Sequence, residues 1–274
     1  MKTMFSMLAL TLVAVANVAA QGPPFATEPR VTINQTKAVK GNVTPGDDPG
    51  FPVLITQGGS YVLTSNLVVP TLNTGGILMR TSEPVTINLN GFAILGPNRC
   101  AKFYTGGCES QDSGSGIETD VATGSNTNFS TVYGGTVSGF GRFGVGMLGF
   151  GNTVRNMTIT SCRFGIGVTG LIHDNVVTRN GDVGISTFGA VVRNNNVTEN
   201  GGNGISMFRG TAMDNMSENN TGYGFWSPTV AANGPAIPAA GYRGNSFAGN
   251  NNGGVQVSGG ISLGPNTCDT TLCP

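Results

Sequence analysis

The chain has 274 residues, 44 of them glycine, and its 14 Lys and Arg balance 14 Asp and Glu to a formal net charge of zero. A neutral chain has no overall field to draw in nucleic acid or an anionic membrane, which argues against both as partners. Glycine this frequent without a triplet period excludes collagen and fits a turn-dense β solenoid.

The first twenty residues have the three parts of a secretory signal peptide. Lys2 gives the positive start, Met7 to Val15 the apolar stretch, and Val18-Ala19-Ala20 a small-residue cleavage site before Gln21. That apolar run is short of a bilayer span. The mature chain is therefore expected outside the cytoplasm, secreted or periplasmic, with no membrane span. Residues 21–49 are polar and rich in Pro and Gly, and read as an N-terminal extension that caps the open end of a solenoid.

From residue 50 the strand pattern is clear: Val85, Ile87 and Leu89 alternate with Thr86, Asn88 and Asn90. Residues 97–131 break the pattern and read as a loop insert. This insert holds Cys100 and Cys108 and concentrates acid at Glu109, Asp112, Glu118 and Asp120. Beyond it, rungs of similar sequence succeed one another. LIHDNVVTRNGDVGISTF (171–188) and VVRNNNVTENGGNGISMF (191–208) agree at most positions that matter for shape. Gly-apolar pairs beginning at Gly144, Gly165, Gly184, Gly204, Gly224 and Gly254 are spaced by 21, 19, 20, 20 and 30 residues. A fixed period in this range marks stacked units that bury their apolar faces only against their neighbours.

No window carries apolar residues at helical spacing over three turns, so each unit reads as a coil of short strands split by Gly, Asn and Asp. Stacked coils pair in parallel, about 4.8 Å apart, and like residues lie above one another. Asn180, Asn200, Asn219 and Asn250 are expected to form such a ladder, with Cys162 in the same column as a buried free thiol. A second insert, 227–241, carries three prolines and lengthens one rung. The last coil is expected to end near 263, and 264–274 to form a C-terminal tail or lid. Five cysteines allow 15 ways of forming two bridges. The local pairs Cys100–Cys108 and Cys268–Cys273 are expected, since an exported chain can oxidise them.

These rungs resemble the right-handed parallel β-helix repeat of the pectin-lyase-like superfamily. GFPVLITQGGSYVLTSNLVVP (50–70) with VTINLNGFAILGP (85–97) also resembles the opening coils of secreted bacterial β-helix proteins of undefined activity. The resemblance covers roughly residues 50 to 260. It implies an all-β, single-stranded right-handed parallel β-helix with two loop inserts and terminal caps. It implies no one activity, because lyases, hydrolases, esterases, epimerases and non-catalytic adhesins share this fold. The paired aspartates with Gly-His-Gly of such hydrolases, and the Asp-Pro-His of alginate epimerases, are missing here.

Three groups of residues are candidates for chemistry. The residue after each first anchor points outward, giving a column of Tyr133, Arg155, His173, Arg193 and, further on, Arg243, with Asp174 beside the histidine. Arginine suits carboxylate recognition and histidine suits proton transfer near neutral pH, as a lyase or epimerase acting on an acidic glycan would need. Trp226, with Tyr223 close by, is a candidate sugar-stacking platform, and Arg243 is a further candidate ligand-binding residue. Glu109, Asp112, Glu118 and Asp120 are a weak candidate set for Ca²⁺, which takes about six to eight oxygens; no other cofactor is implied. The reading favoured is a secreted β-helix that binds a polysaccharide or cell-surface glycan. The lyase or epimerase and a structural or adhesive solenoid are the alternatives.

Overall fold

A computed structural model of the protein describes residues 30–103, 105–120, 128–228 and 238–273. The proposed signal peptide, residues 121–127 and most of the second insert lie outside the described residues.

The described chain is a parallel β-helix with three strand stacks, called here sheets A, B and C in the order in which each coil visits them. In the regular coils sheet A is formed by Ala190–Arg193, Gly210–Met213 and Gly241–Arg243. Sheet B is formed by Val176–Thr178, Asn196–Thr198 and Met216–Glu218, and sheet C by Ile185–Thr187, Ile205–Met207 and Phe225–Trp226. Each strand pairs in parallel with the equivalent strand one coil later. The long strands Phe143–Thr160 and Phe164–His173 run through the corners and contribute to more than one sheet.

Alternation puts files of apolar side chains inside, one residue per coil in each file. Sheet A sends in Val132, Val154, Ile172, Val192, Ala212 and Tyr242; sheet C sends in Ile117, Val145, Ile166, Ile185, Ile205 and Phe225, all buried. Each large side chain so buried contributes about 1.5–3 kcal/mol, and β-branched residues suit such strands.

Two tight corners shape every regular coil. Between sheets A and B one residue takes a left-handed conformation: Asn156 (φ 52°), Asp174 (57°), Asn194 (53°) and Asp214 (56°). Asn and Asp tolerate this region better than other side chains. Between sheets B and C the same role falls to Ser161, Arg179, Glu199, Asn219 and Gly249. In most regular coils a buried asparagine comes directly after each such residue, and these stack into two ladders.

One ladder runs Asn175, Asn195, Asn215, Asn245 and Asn266; the other runs Asn180, Asn200, Asn220 and Asn250 and closes on Gln256. Within a ladder each amide oxygen accepts from the backbone and side-chain N–H of the preceding asparagine. Asn200 Oδ1, for example, accepts from Asn180 N at 3.1 Å and from Asn180 Nδ2 at 2.9 Å. Each buried amide is thereby satisfied by its neighbours. Cys162 heads the second ladder, its N–H bonded to Asn180 Oδ1 at 3.0 Å; it is a buried free thiol, as expected.

Several expectations require correction. The ladder residue in its coil is Asn220, not Asn219, because Thr198 pairs with Glu218; Asn219 takes the exposed left-handed corner. Ser217 consequently fills the core position of that coil, its Oγ donating to Gly224 O at 2.8 Å, and Met216 is exposed. On the last full coil Val257 replaces Val255 opposite Phe225, because a short turn at Asn251–Gly253 displaces the register; Val255 is exposed. Stacking also runs past both expected limits. Val31–Ile33 already pairs with Gly59–Leu63 on sheet A, and Thr267–Cys268 still pairs with Ser246–Ala248 on sheet B. The insert 97–131 is interrupted by a genuine sheet-C strand, Ile117–Thr119.

The ends are covered differently. A six-residue helix, Gln35–Lys40, buries Ala38 at the N-terminal end, and Asn34 Oδ1 caps it by accepting from Lys37 N at 2.9 Å. At the other end Thr271–Leu272 folds back antiparallel on Thr267–Cys268, clipped by the Cys268–Cys273 disulfide. Cys100 and Cys108 form the second bridge.

Candidate functional site

The outward column on sheet A is present in the expected register: Tyr133, Arg155, His173, Arg193, Met213 and Arg243 lie on successive coils. The Arg155 guanidinium lies 4.2 Å from the Tyr133 ring centre, and Arg155 Nη1 donates to Asn156 Oδ1 at 3.3 Å. His173 Nδ1 meets Asp174 Oδ2 at 2.6 Å. That hydrogen bond is the main reason the Asp174 carboxyl is held below its ordinary value. The column runs along the corner between sheets A and B. The Cys100–Cys108 loop lies along the corner between sheets B and C, where Cys100 N donates to Ser161 O and Gly107 packs on Gly181. The second insert is anchored at the corner between sheets C and A, through Ser227 and Ala240.

The four acidic residues do not converge. Asp112 is a structural acceptor: Oδ1 takes Asn73 N at 2.6 Å and Gly114 N at 2.8 Å, and Oδ2 takes Gly141 N at 3.0 Å. Glu118 accepts from Ser115 Oγ at 2.8 Å and pairs with Arg142 at 3.2 Å. Asp120 pairs with Arg80 at 2.6 Å, and Glu109 faces Arg99 at 4.0 Å. Among the described residues no group of three or more metal-ligating side chains forms, so the expected calcium set is four separate fixtures. The reason is local: Asp112, Glu118 and Asp120 each tie their coil to a neighbouring one, through Asn73 and Gly141, Arg142 and Arg80 respectively.

The site with the most developed shape lies on the outer face of sheet C. The outward file there is Glu118, Gly146, Gly167, Ser186, Ser206 and Trp226. Small residues in its middle leave a trough bounded at one end by Glu118 and at the other by Ser186, Phe188 and Phe208; Trp226 stands beyond it, against Phe208. The rim beside sheet B carries Phe143 and Phe164, whose ring centres are 5.3 Å apart, and later Tyr223. The rim beside sheet A carries Phe188 and Phe208, with ring centres 5.7 Å apart, and Trp226 meets Phe208 edge-on at the same distance. The trough encloses about 270 Å³.

Glycine is required in the floor. The Phe143 ring lies over Gly146 and Gly167, and a Cβ on Gly167 would stand 2.5 Å from that ring. Three arginines lie against the rim rings: Arg142 on Phe143 at 5.8 Å, Arg163 on Phe164 at 5.1 Å and Arg209 on Phe188 at 4.3 Å. Guanidinium stacking holds such rings in place while leaving part of each face open.

Trp226 stands just beyond the trough lining, edge-on to Phe208, and Tyr223 follows the rim beside sheet B, whereas Arg243 stands on sheet A with His173. Phe143, Phe164, Phe188, Phe208 and Arg209 were not anticipated. A signal existed in the aromatics that flank the Gly-apolar pairs, for example Phe143-Gly144 and Phe164-Gly165.

No family model matches the sequence, and no curated protein does either. Three solved structures show a likeness in fold. One is the crystal structure of the Dettilon tailspike protein, with a TM-score of 0.39 and 18% identity over 69% of this chain; the chain spans 44% of that protein. The others are A-modules of Azotobacter vinelandii mannuronan C-5 epimerases. AlgE6 gives a TM-score of 0.43 and 14% identity, covering 88% of this chain and 84% of its own; AlgE4 gives 0.37 and 13%, covering 73% and 72%. Likenesses this distant say nothing about activity, which rests on the site alone.

Proposed function

We propose that this chain is an extracytoplasmic glycan-binding protein whose ligand lies in the trough on sheet C. The observation that carries the reading is the aromatic wall of Phe188 and Phe208 on consecutive coils, extended by Trp226 against Phe208, beside a floor of Gly146, Gly167 and Ser186. A sugar ring has an apolar face and a polar edge. Aromatic walls accept the first, while the Ser186 hydroxyl and the Glu118–Arg142 pair suit the second. The signal-like N-terminus and the two disulfides support export.

Binding rather than turnover is the better reading of the trough. Its one carboxylate, Glu118, is tied to Arg142, whereas glycoside cleavage commonly uses two carboxyl groups across the bond. The Arg155–His173–Arg193 column stands on another sheet and does not face a ligand held here.

Trp226 is the chain's one tryptophan and meets Phe208 of the trough edge-on, so its fluorescence reports on changes at that wall. Titration with neutral and acidic oligosaccharides should give a saturable change for at least one. Phe208→Ala should weaken that binding by about tenfold or more, roughly 1.4 kcal/mol. His173→Ala should leave it unchanged. Absence of any saturable response, or full affinity in Phe208→Ala, would refute the reading.

A further inference from the structure

A second cavity, of about 310 Å³, adjoins the trough at the corner between sheets B and C. It is lined by polar groups of the Cys100–Cys108 loop and of the adjoining residues Glu109, Ser110, Gln111 and Asp112, and by Arg163. The two cavities share one wall. Gly141 faces the polar cavity, while the next two residues, Arg142 and Phe143, face the trough. One coil on, Arg163 lines the polar cavity and lies over the ring of Phe164, which packs on Phe143. The wall is therefore two residues thick, and Arg163 stands exposed upon it.

The charges of the two cavities also form a pattern. Their combined lining holds three carboxylates, Glu109, Asp112 and Glu118, against two guanidinium groups, Arg142 and Arg163. Arg209, stacked on the trough residue Phe188, brings the sides level. Asp112 is saturated by backbone donors, Glu118 is paired and Glu109 has Arg99 nearby. A polyanion would meet as many carboxylates as cations. An uncharged, hydroxyl-rich chain would meet alternating donors and acceptors at no electrostatic cost.

We infer that the trough and the polar cavity are two parts of one site for a neutral oligosaccharide long enough to cross the Phe143–Phe164 wall. Sugar rings stack in the trough, and a further unit hydrogen-bonds in the polar cavity to Arg163, Gln111 and Ser110. Arg163 is then a specificity residue that reads chain length. This inference rests on the glycan reading of the trough.

The test uses the full chain and Trp226 fluorescence. The probes are neutral oligomers of glucose, mannose, galactose and xylose of increasing length, beside matching oligomers of glucuronate, mannuronate and galacturonate. A neutral series should bind, with affinity rising about tenfold between the disaccharide and the longer members. Arg163→Ala should remove that gain; Glu109→Gln, also exposed, should reduce it and leave the disaccharide's affinity unchanged. Raising salt from about 0.05 to 0.5 M should change the affinity less than about twofold, since few charges are screened on binding. Exclusive binding of the uronates with steep salt dependence would overturn the inference while sparing the trough. A length-dependent gain that survives Arg163→Ala would do the same. Failure of every probe would sink both.

Discussion

Replacing Asn220 by alanine separates the ladder from its neighbouring corner in a single coil. The Asn220 Oδ1 accepts from Asn200 N at 3.0 Å and from Asn200 Nδ2 at 2.9 Å; its Nδ2 donates to Val197 O at 3.0 Å. Alanine leaves these three partner groups buried without that bond. Asn250 Oδ1 and Ser217 Oγ keep other partners, through Asn220 N and Gly224 O. An orphaned buried polar group costs about 1–3 kcal/mol, so Asn220→Ala should destabilise by about 3–5 kcal/mol. Asn219, one residue earlier, is exposed at φ 55°. Asn219→Ala costs only the difference in tolerance of that conformation, under about 1 kcal/mol, and Asn219→Gly relieves it. Urea unfolding monitored through Trp226 measures all three. Equal losses for Asn219→Ala and Asn220→Ala, or a larger loss for Asn219→Ala, would refute the ladder register.

Burial pushes the Cys162 thiol up to about 12, so it should resist thiol reagents at pH 8 in the native chain and react once per molecule after unfolding. Mass measurement should find two disulfides beside it. The folded-state pKa of Asp174 lies below its ordinary value, so its stabilising contact with His173 is complete above the ordinary carboxylate range, about pH 4. That contribution is lost as pH falls through the lowered value; Asp174→Asn should flatten the acid limb of the melting-temperature profile. The effect should stay below about 1 kcal/mol because the carboxylate is well exposed. Gly167→Ala should fold yet weaken glycan binding, since its Cβ displaces the Phe143 ring over the trough floor.

Coil periodicity was readable because Gly-apolar pairs recur wherever a strand enters sheet C. What failed was counting where two like residues adjoin. Asn219-Asn220 gives no sequence cue as to which residue turns outward, since both tolerate the left-handed corner. The first ladder, Asn175 to Asn266, was overlooked although its members recur at the coil period; each comes after an Asp, Asn, Gly or Pro and looks like ordinary turn chemistry. Ile117–Thr119 was hidden inside an acid-rich stretch, yet Gly116-Ile117 repeats the same Gly-apolar signal. The trough was harder to foresee. Its aromatics come from two rims of sheet C, and whether a residue near a corner faces in or out depends on left-handed residues that shift the alternation. Trp226 and Tyr223 cluster in sequence, whereas Phe143 and Phe208 meet across the trough only after the coils stack.

Amide hydrogen exchange with and without a bound oligosaccharide tests the central claim most directly. Protection should appear on the sheet-C strands and their rims, at residues 143–148, 164–169, 185–188 and 205–208, with sheet A unchanged. Protection centred instead on residues 153–155, 171–174 and 190–193 would place the ligand on the arginine–histidine column and contradict the account.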